Sequence, residues 1–180
     1  MLDSSEYLHL AIHASESGDH HAALNYLNQA LTQDPNNASL IYFQAAEHAE
    51  LGLFERASKG ITQALAIDET LDVARFQLGL LHLQLQQTEL AQHQFATLTE
   101  KTSDLSLKSF SKAYLALINE NVESATELLE AGIASCESEP LKADMQRVLA
   151  SLAESPVTEK ASDHSAMYLG AYRDTFDKNS

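Results

Sequence analysis

The sequence predicts an all-α solenoid: four stacked helical hairpins, a capping helix and a short tail helix. Three observations carry that prediction: a composition of helix formers, a 34-residue period of small and large apolar positions, and turn-forming residues at regular intervals between them. Of 180 residues, 26 are Ala and 28 are Leu, whereas Val and Ile together number 10 and Trp is absent. Side chains that keep their rotamer freedom on a helix dominate, and the β-branched residues that favour strands are scarce. A sheet is therefore excluded as the organising element.

The period is found by aligning Ala23, Ala57, Ala91 and Ala125, each one period after the last. Four residues beyond each stand Leu27, Ile61, Phe95 and Leu129, and three further on Ala30, Ala64, Leu98 and Gly132. Twelve residues before each aligned Ala stand Ala11, Ala45, Gly79 and Ala113. A repeat of this length in a helix-forming sequence is one helix-turn-helix unit that buries its apolar face by stacking on its neighbours. Within the units the helices are separated by Gly18-Asp19, Gly52, Gln86-Gln87 and Asn119-Glu120-Asn121. Asp34-Pro35-Asn36-Asn37, Asp68-Glu69-Thr70, Thr102-Ser103-Asp104 and Glu139-Pro140 separate the units themselves. The small residues have a packing reason: two antiparallel helices about 8–10 Å apart need a small side chain facing a large one. The units run over residues 4–37, 38–71, 72–105 and 106–139.

Beyond them, residues 140–154 place Leu141, Met145, Val148, Leu149 and Leu152 on one stripe, with Lys142, Asp144, Arg147 and Glu154 away from it. This reads as an amphipathic helix that caps the stack and completes a repeat domain over 1–154. Residues 155–162 read as a linker. Asp163 then begins a short helix on which Met167, Tyr168, Ala171, Tyr172 and Phe176 share a face, completing a 155–180 tail.

Eleven basic residues against 26 acidic ones give a net charge of −15. Residues 1–139 hold six basic and 20 acidic side chains, so nearly all of the excess belongs to the repeats. Such a surface repels a nucleic-acid backbone or an anionic membrane and attracts a basic protein segment. The N-terminus is acidic and lacks a basic stretch followed by an apolar run, and no window of about 18 apolar residues occurs. A cytoplasmic protein that does not insert into a membrane is the expectation. Cys136 is the single cysteine, so no intrachain disulfide forms.

Together, the small residues, the turn positions, Leu78-Gly79 and Pro35 resemble the tetratricopeptide repeat family, and in particular its small acidic bacterial members. The chain departs from the family pattern at repeat position 4, commonly Trp and here Tyr7, Ile41, Arg75 and Ser109. The resemblance implies a right-handed stack and a non-enzymatic role in protein binding. It also implies that positions 2, 5, 9 and 12 of each first helix line a concave groove. Position 5 is Leu8, Tyr42, Phe76 and Phe110; position 9 is Ile12, Ala46, Leu80 and Tyr114; position 12 is Ser15, Ala49, Leu83 and Leu117. The peptide-binding residues expected on this basis are Leu8, Ile12, Tyr42, Phe76, Leu80, Leu83, Phe110, Tyr114 and Leu117.

An apolar peptide or amphipathic helix is the expected ligand. With hairpins about 10 Å apart, anchors recur about every third residue of an extended chain or every seventh of a helix. The family's carboxylate clamp, built from Lys, Asn and Arg, is missing: its places hold Leu8, Ile12, Phe43, Val73 and Gln77. Three alternatives cover the same groove: shielding of a hydrophobic secretion or assembly subunit, burial in a homodimer, or an internal plug formed by 163–176.

Candidate chemistry is sparse. His9 and His13 share a helix face with Glu6, but the pair lacks the Glu that follows the first His in a metalloprotease helix, and a surface pair of histidines is the expected reading. His48 and His82 occupy the same repeat position, where the family places a packing aromatic. The six glycines form no phosphate-binding loop, and no Ser sits in a nucleophile elbow. No catalytic residue, cofactor or metal is expected.

Overall fold

The computed structural model describes residues 2–154; the linker and tail expected over 155–180, with Met167, Tyr168 and Tyr172, lie outside the described residues. Among the described residues there are α-helices and no strand. The helices are α1 (Ser4–Glu16), α2 (His20–Gln33), α3 (Ala38–Glu50), α4 (Phe54–Ile67), α5 (Asp72–Gln84), α6 (Thr88–Lys101), α7 (Leu105–Ile118), α8 (Val122–Ser135) and α9 (Glu139–Glu154). The first helices of successive hairpins, α1, α3 and α5, begin at Ser4, Ala38 and Asp72, one sequence period apart. The chain forms two compact units that divide between Ala74 and Arg75, inside the first turn of α5. Both are built from stacked helical hairpins, the architecture of an all-α solenoid.

Five helix starts, those of α1, α2, α3, α7 and α8, carry a side chain that satisfies free backbone amides, whereas α4 and α6 follow Leu53 and Gln87 with no side-chain cap. Asp3 and Glu6 form a reciprocal box at α1: the Glu6 amide donates to Asp3 Oδ1 and the Asp3 amide to Glu6 Oε2, each at 2.8 Å. Asp19, Asn37, Asp104 and Asn121 accept amides of α2, α3, α7 and α8. Each hairpin turn passes through one left-handed residue, and these recur with the same period: Gly18 (φ 77°), Gly52 (φ 73°), Gln86 (φ 59°) and Glu120 (φ 58°). Glycine adopts this conformation without cost, whereas Gln86 and Glu120 hold it against their own Cβ.

In the N-terminal unit α1 pairs with α2, α3 pairs with α4, and α2 packs on α3. Ala11, Ala23, Leu27 and Ala30 fill the first hairpin, and Ala45, Ala57, Ile61 and Ala64 the second, all buried. Gly60 marks the closest approach, since a Cβ there would lie 2.7 Å from Ala45 Cβ. α1 turns Glu6, His9, Leu10 and His13 to solvent. At the corresponding places of the next repeat, Leu40, Phe43 and Glu47 of α3 are buried, because there a preceding hairpin covers them.

In the C-terminal unit the Phe95 ring of α6 lies against Gly79 of α5, and the Phe110 ring of α7 against Gly132 of α8. Added Cβ atoms at those glycines would lie 2.6 Å and 2.3 Å from the rings, so the large-into-small packing is literal. α9 covers α8 with Leu141, Met145 and Val148 buried. One expectation for this helix fails: Asp144, assigned to the solvent side, is buried and paired with Arg147. It sits one residue from Met145 and three from Leu141, near the edge of the apolar stripe, and the guanidinium of Arg147 supplies its charge partner.

Candidate functional site

The nine side chains expected to line a groove divide into two groups. Tyr42, Phe76, Leu80, Phe110 and Tyr114 are only 0–4 % exposed, and the premise that they face solvent does not hold. Leu8, Ile12, Leu83 and Leu117 are half-buried and keep surface to offer.

The reason is visible in the C-terminal unit, where Phe76, Phe95, Phe110 and Tyr114 form one aromatic cluster. Phe76 has its ring centroid 5.7 Å from Phe95, 6.4 Å from Phe110 and 5.8 Å from Tyr114, and Tyr114 stacks on Phe95 at 5.2 Å. These tilted and offset contacts join α5, α6 and α7 into a core. Helical geometry explains the placement. Position 5 lies three residues before the small position 8, a rotation of about 60° around the helix axis, so both face the same neighbour. A large residue there belongs to the hairpin contact, as Phe110 against Gly132 demonstrates.

Sequence reading missed a buried polar group in the N-terminal unit. Glu47 of α3 is fully buried, and its Oε1 accepts the Ser15 hydroxyl of α1 at 2.7 Å. Its Oε2 lies 2.8 Å from His20 Nδ1 of α2, with the imidazole as donor because a carboxylate only accepts. Gln44 Nε2, on the same side of α3, donates to Asn28 Oδ1 of α2 at 2.8 Å. The signal was present as a lone acidic residue within the apolar run Leu40–Ala49.

The histidines take structural places. His82 is buried with Nδ1 2.8 Å from Gln87 Oε1, and His48 is half-buried. Burial lowers the His48 pKa below the ordinary histidine value; the Arg56 cation adds to the lowering, and the Glu47 charge opposes it. His9 and His13 are exposed, and Glu6 is engaged in the α1 cap. Among the described residues no three His, Cys, Asp or Glu side chains converge on a metal-binding position. Cys136 is buried and free.

Residues 7–37, the span of the first hairpin, match the tetratricopeptide repeat family model. The fold is the tetratricopeptide-repeat fold. No curated protein matches the sequence. Solved structures of MamA resemble the tetratricopeptide-repeat stack over almost its whole length. The MamA RS-1 ArsTM double mutant is 14 % identical with a TM-score of 0.63, covering 98 % of this chain and 96 % of that one. A second crystal structure of MamA is 14 % identical with a TM-score of 0.61, covering 97 % and 92 %. MamA from residue 41 to its end, from Desulfovibrio magneticus RS-1, is 15 % identical with a TM-score of 0.64, covering 98 % and 97 %. Identity this low speaks for the fold alone. Tetratricopeptide-repeat hairpins stack into surfaces that serve as protein-interaction scaffolds, and among the described residues no helix is long and apolar enough to cross a membrane.

Proposed function

We propose that the protein is a non-enzymatic scaffold that binds an apolar peptide or amphipathic helix of another protein. The observation that carries this reading is a pair of half-buried leucines, Leu83 and Leu117, at the same repeat position near the C-terminal ends of α5 and α7. The ring contacts of Phe76 with Phe110 and Tyr114 bring those two helices together, which supports reading the leucines as a pair of anchors. In the N-terminal unit, Leu8 and Ile12 of α1 make a smaller apolar strip. The buried aromatics act behind this surface as the rigid support that fixes anchor spacing. The net charge of −15 favours a ligand in which Lys or Arg flanks the apolar anchors. A cytoplasmic setting accords with a single cysteine that stays a buried thiol.

The test is selection of peptides from a random library on the immobilised full chain, followed by titration of the selected peptides against a Leu83→Glu, Leu117→Glu variant whose helicity matches the parent. The expected result is enrichment of peptides with paired apolar anchors and a loss of binding of about tenfold or more in the variant, from burying fewer apolar side chains. Equal binding by both proteins would remove Leu83 and Leu117 from the ligand surface.

A further inference from the structure

We infer that Glu47 is a registry latch: it fixes the one position in which the N-terminal hairpin docks on α3 and makes that hairpin a separately releasable unit. The hairpin α1–α2 meets α3 along Leu40, Phe43, Gln44 and Glu47, which lie on one side of that helix at spacings of three and four residues. The interior of the hairpin combines three small residues, Ala11, Ala23 and Ala30, with one large side chain, Leu27, all buried. Leu27 restricts which registers pack well, and a buried, hydrogen-bonded carboxylate adds a restriction of direction. A shift of one residue along a helix moves a side chain about 1.5 Å and turns it about 100°. Leu40 and Phe43 would re-form their contacts on other apolar partners, at a packing cost, because such contacts have no fixed direction. Glu47 would not, because Ser15 and His20 approach its two oxygens from two different helices at 2.7 and 2.8 Å. A slip separates both and leaves a carboxylate buried away from those donors.

The same arrangement makes the hairpin releasable. Bonds from α1 and α2 to Glu47 break together when the hairpin lifts, and the exposed carboxylate, imidazole and hydroxyl then gain water. Release uncovers Leu40 and Phe43, while the α3–α4 pair keeps its own core of Ala45, Ala57 and Ile61. The expected behaviour is a sub-global opening confined to α1–α2.

The experiment is native-state hydrogen exchange on the full chain, comparing the parent with Ser15→Ala, which leaves the carboxylate buried with one donor fewer. Amides of α1 and α2 are expected to exchange about ten- to a hundredfold faster, with the slow amides of α3–α4 and α7–α8 unchanged. Uniform acceleration across α1–α4, or no acceleration, would overturn the inference. A second variant, Glu47→Met, removes the latch without leaving a buried charge and should stay helical. Its α1–α2 amide resonances are expected as more than one set, reporting several registers. One sharp set at the parent positions would refute the registry role.

Discussion

Gly132→Ala tests the packing that displaced the aromatic residues from the expected groove. On an exposed helix this change is favourable by about 1 kcal/mol, because alanine has the higher helix propensity. Here an added Cβ would stand 2.3 Å from Phe110 Cε1 and 2.5 Å from Cδ1. Ordinary carbon contacts lie near about 3.5 Å, so the ring must retreat by about 1 Å. Phe110 has no exposed surface and is held on its other side by Phe76, with ring centroids 6.4 Å apart, which leaves little room for that retreat. Overpacking a filled core costs roughly 1–3 kcal/mol, and an overlap this deep belongs to the upper part of that range, about 2–3 kcal/mol. The net expectation is a loss of about 1–2 kcal/mol, or a fall in Tm of about 2–8 °C for a chain of this size. Urea denaturation of the parent, Gly132→Ala, Phe110→Leu and the double variant measures it as a cycle. The double variant is expected to recover at least about 1 kcal/mol relative to the sum of the singles, since a leucine makes room for the new methyl. A Gly132→Ala protein as stable as the parent, or single effects that simply add, would refute the claim that Phe110 is wedged into α8.

Gln86→Gly and Glu120→Gly relieve a left-handed backbone that costs a side-chain-bearing residue roughly 1 kcal/mol, offset in part by the chain entropy of glycine. Each is expected to raise the urea midpoint by a few tenths of a kcal/mol in stability, whereas Gly18→Ala and Gly52→Ala lower it by strain alone, as no atom lies within 4 Å of either added Cβ. His48 has a folded pKa below its unfolded value, so protonation favours the unfolded chain; its contribution is complete above about pH 6.5 and is lost as pH falls through the lowered folded value. Melting curves should therefore show a smaller acid-side loss of stability in His48→Gln than in the parent. Phe76→Ala removes the ring shared by α5, α6 and α7 and is expected to cost about 3–5 kcal/mol by calorimetry, a core effect that separates it from Leu83→Glu.

The period was legible because stacking repeats the same contact once per hairpin, and small residues at Ala11, Ala45, Gly79 and Ala113 have a geometric cause that the sequence alone exposes. The inner surface was harder. Position 5 lies only about 60° around the helix from the small position, so Phe76 and Phe110 turn inward with it, although their spacing alone also fits a solvent-facing stripe. Leu80 and Tyr114 at position 9 carry no such cue, since a position about 100° from the contact line is covered or open according to how neighbouring helices tilt. Glu47 and Asp144 were missed for another reason. Each is a single departure from the repeat, at a place where the other units carry no carboxylate; the partners of Glu47, Ser15 and His20, become neighbours only once the helices are packed, whereas Arg147 lies one turn from Asp144 on the same helix.

The solvent-facing side of α1 also decides how the array can grow. A further hairpin added before it would meet two imidazoles, a carboxylate already engaged at the helix start, and one leucine, where α3 offers its own predecessor Leu40 and Phe43. Such an addition would have to desolvate charge for little apolar gain. That side of α1 is thus poorly suited to seat a further hairpin, and lengthening this solenoid by design calls for converting Glu6 and His9 to apolar residues.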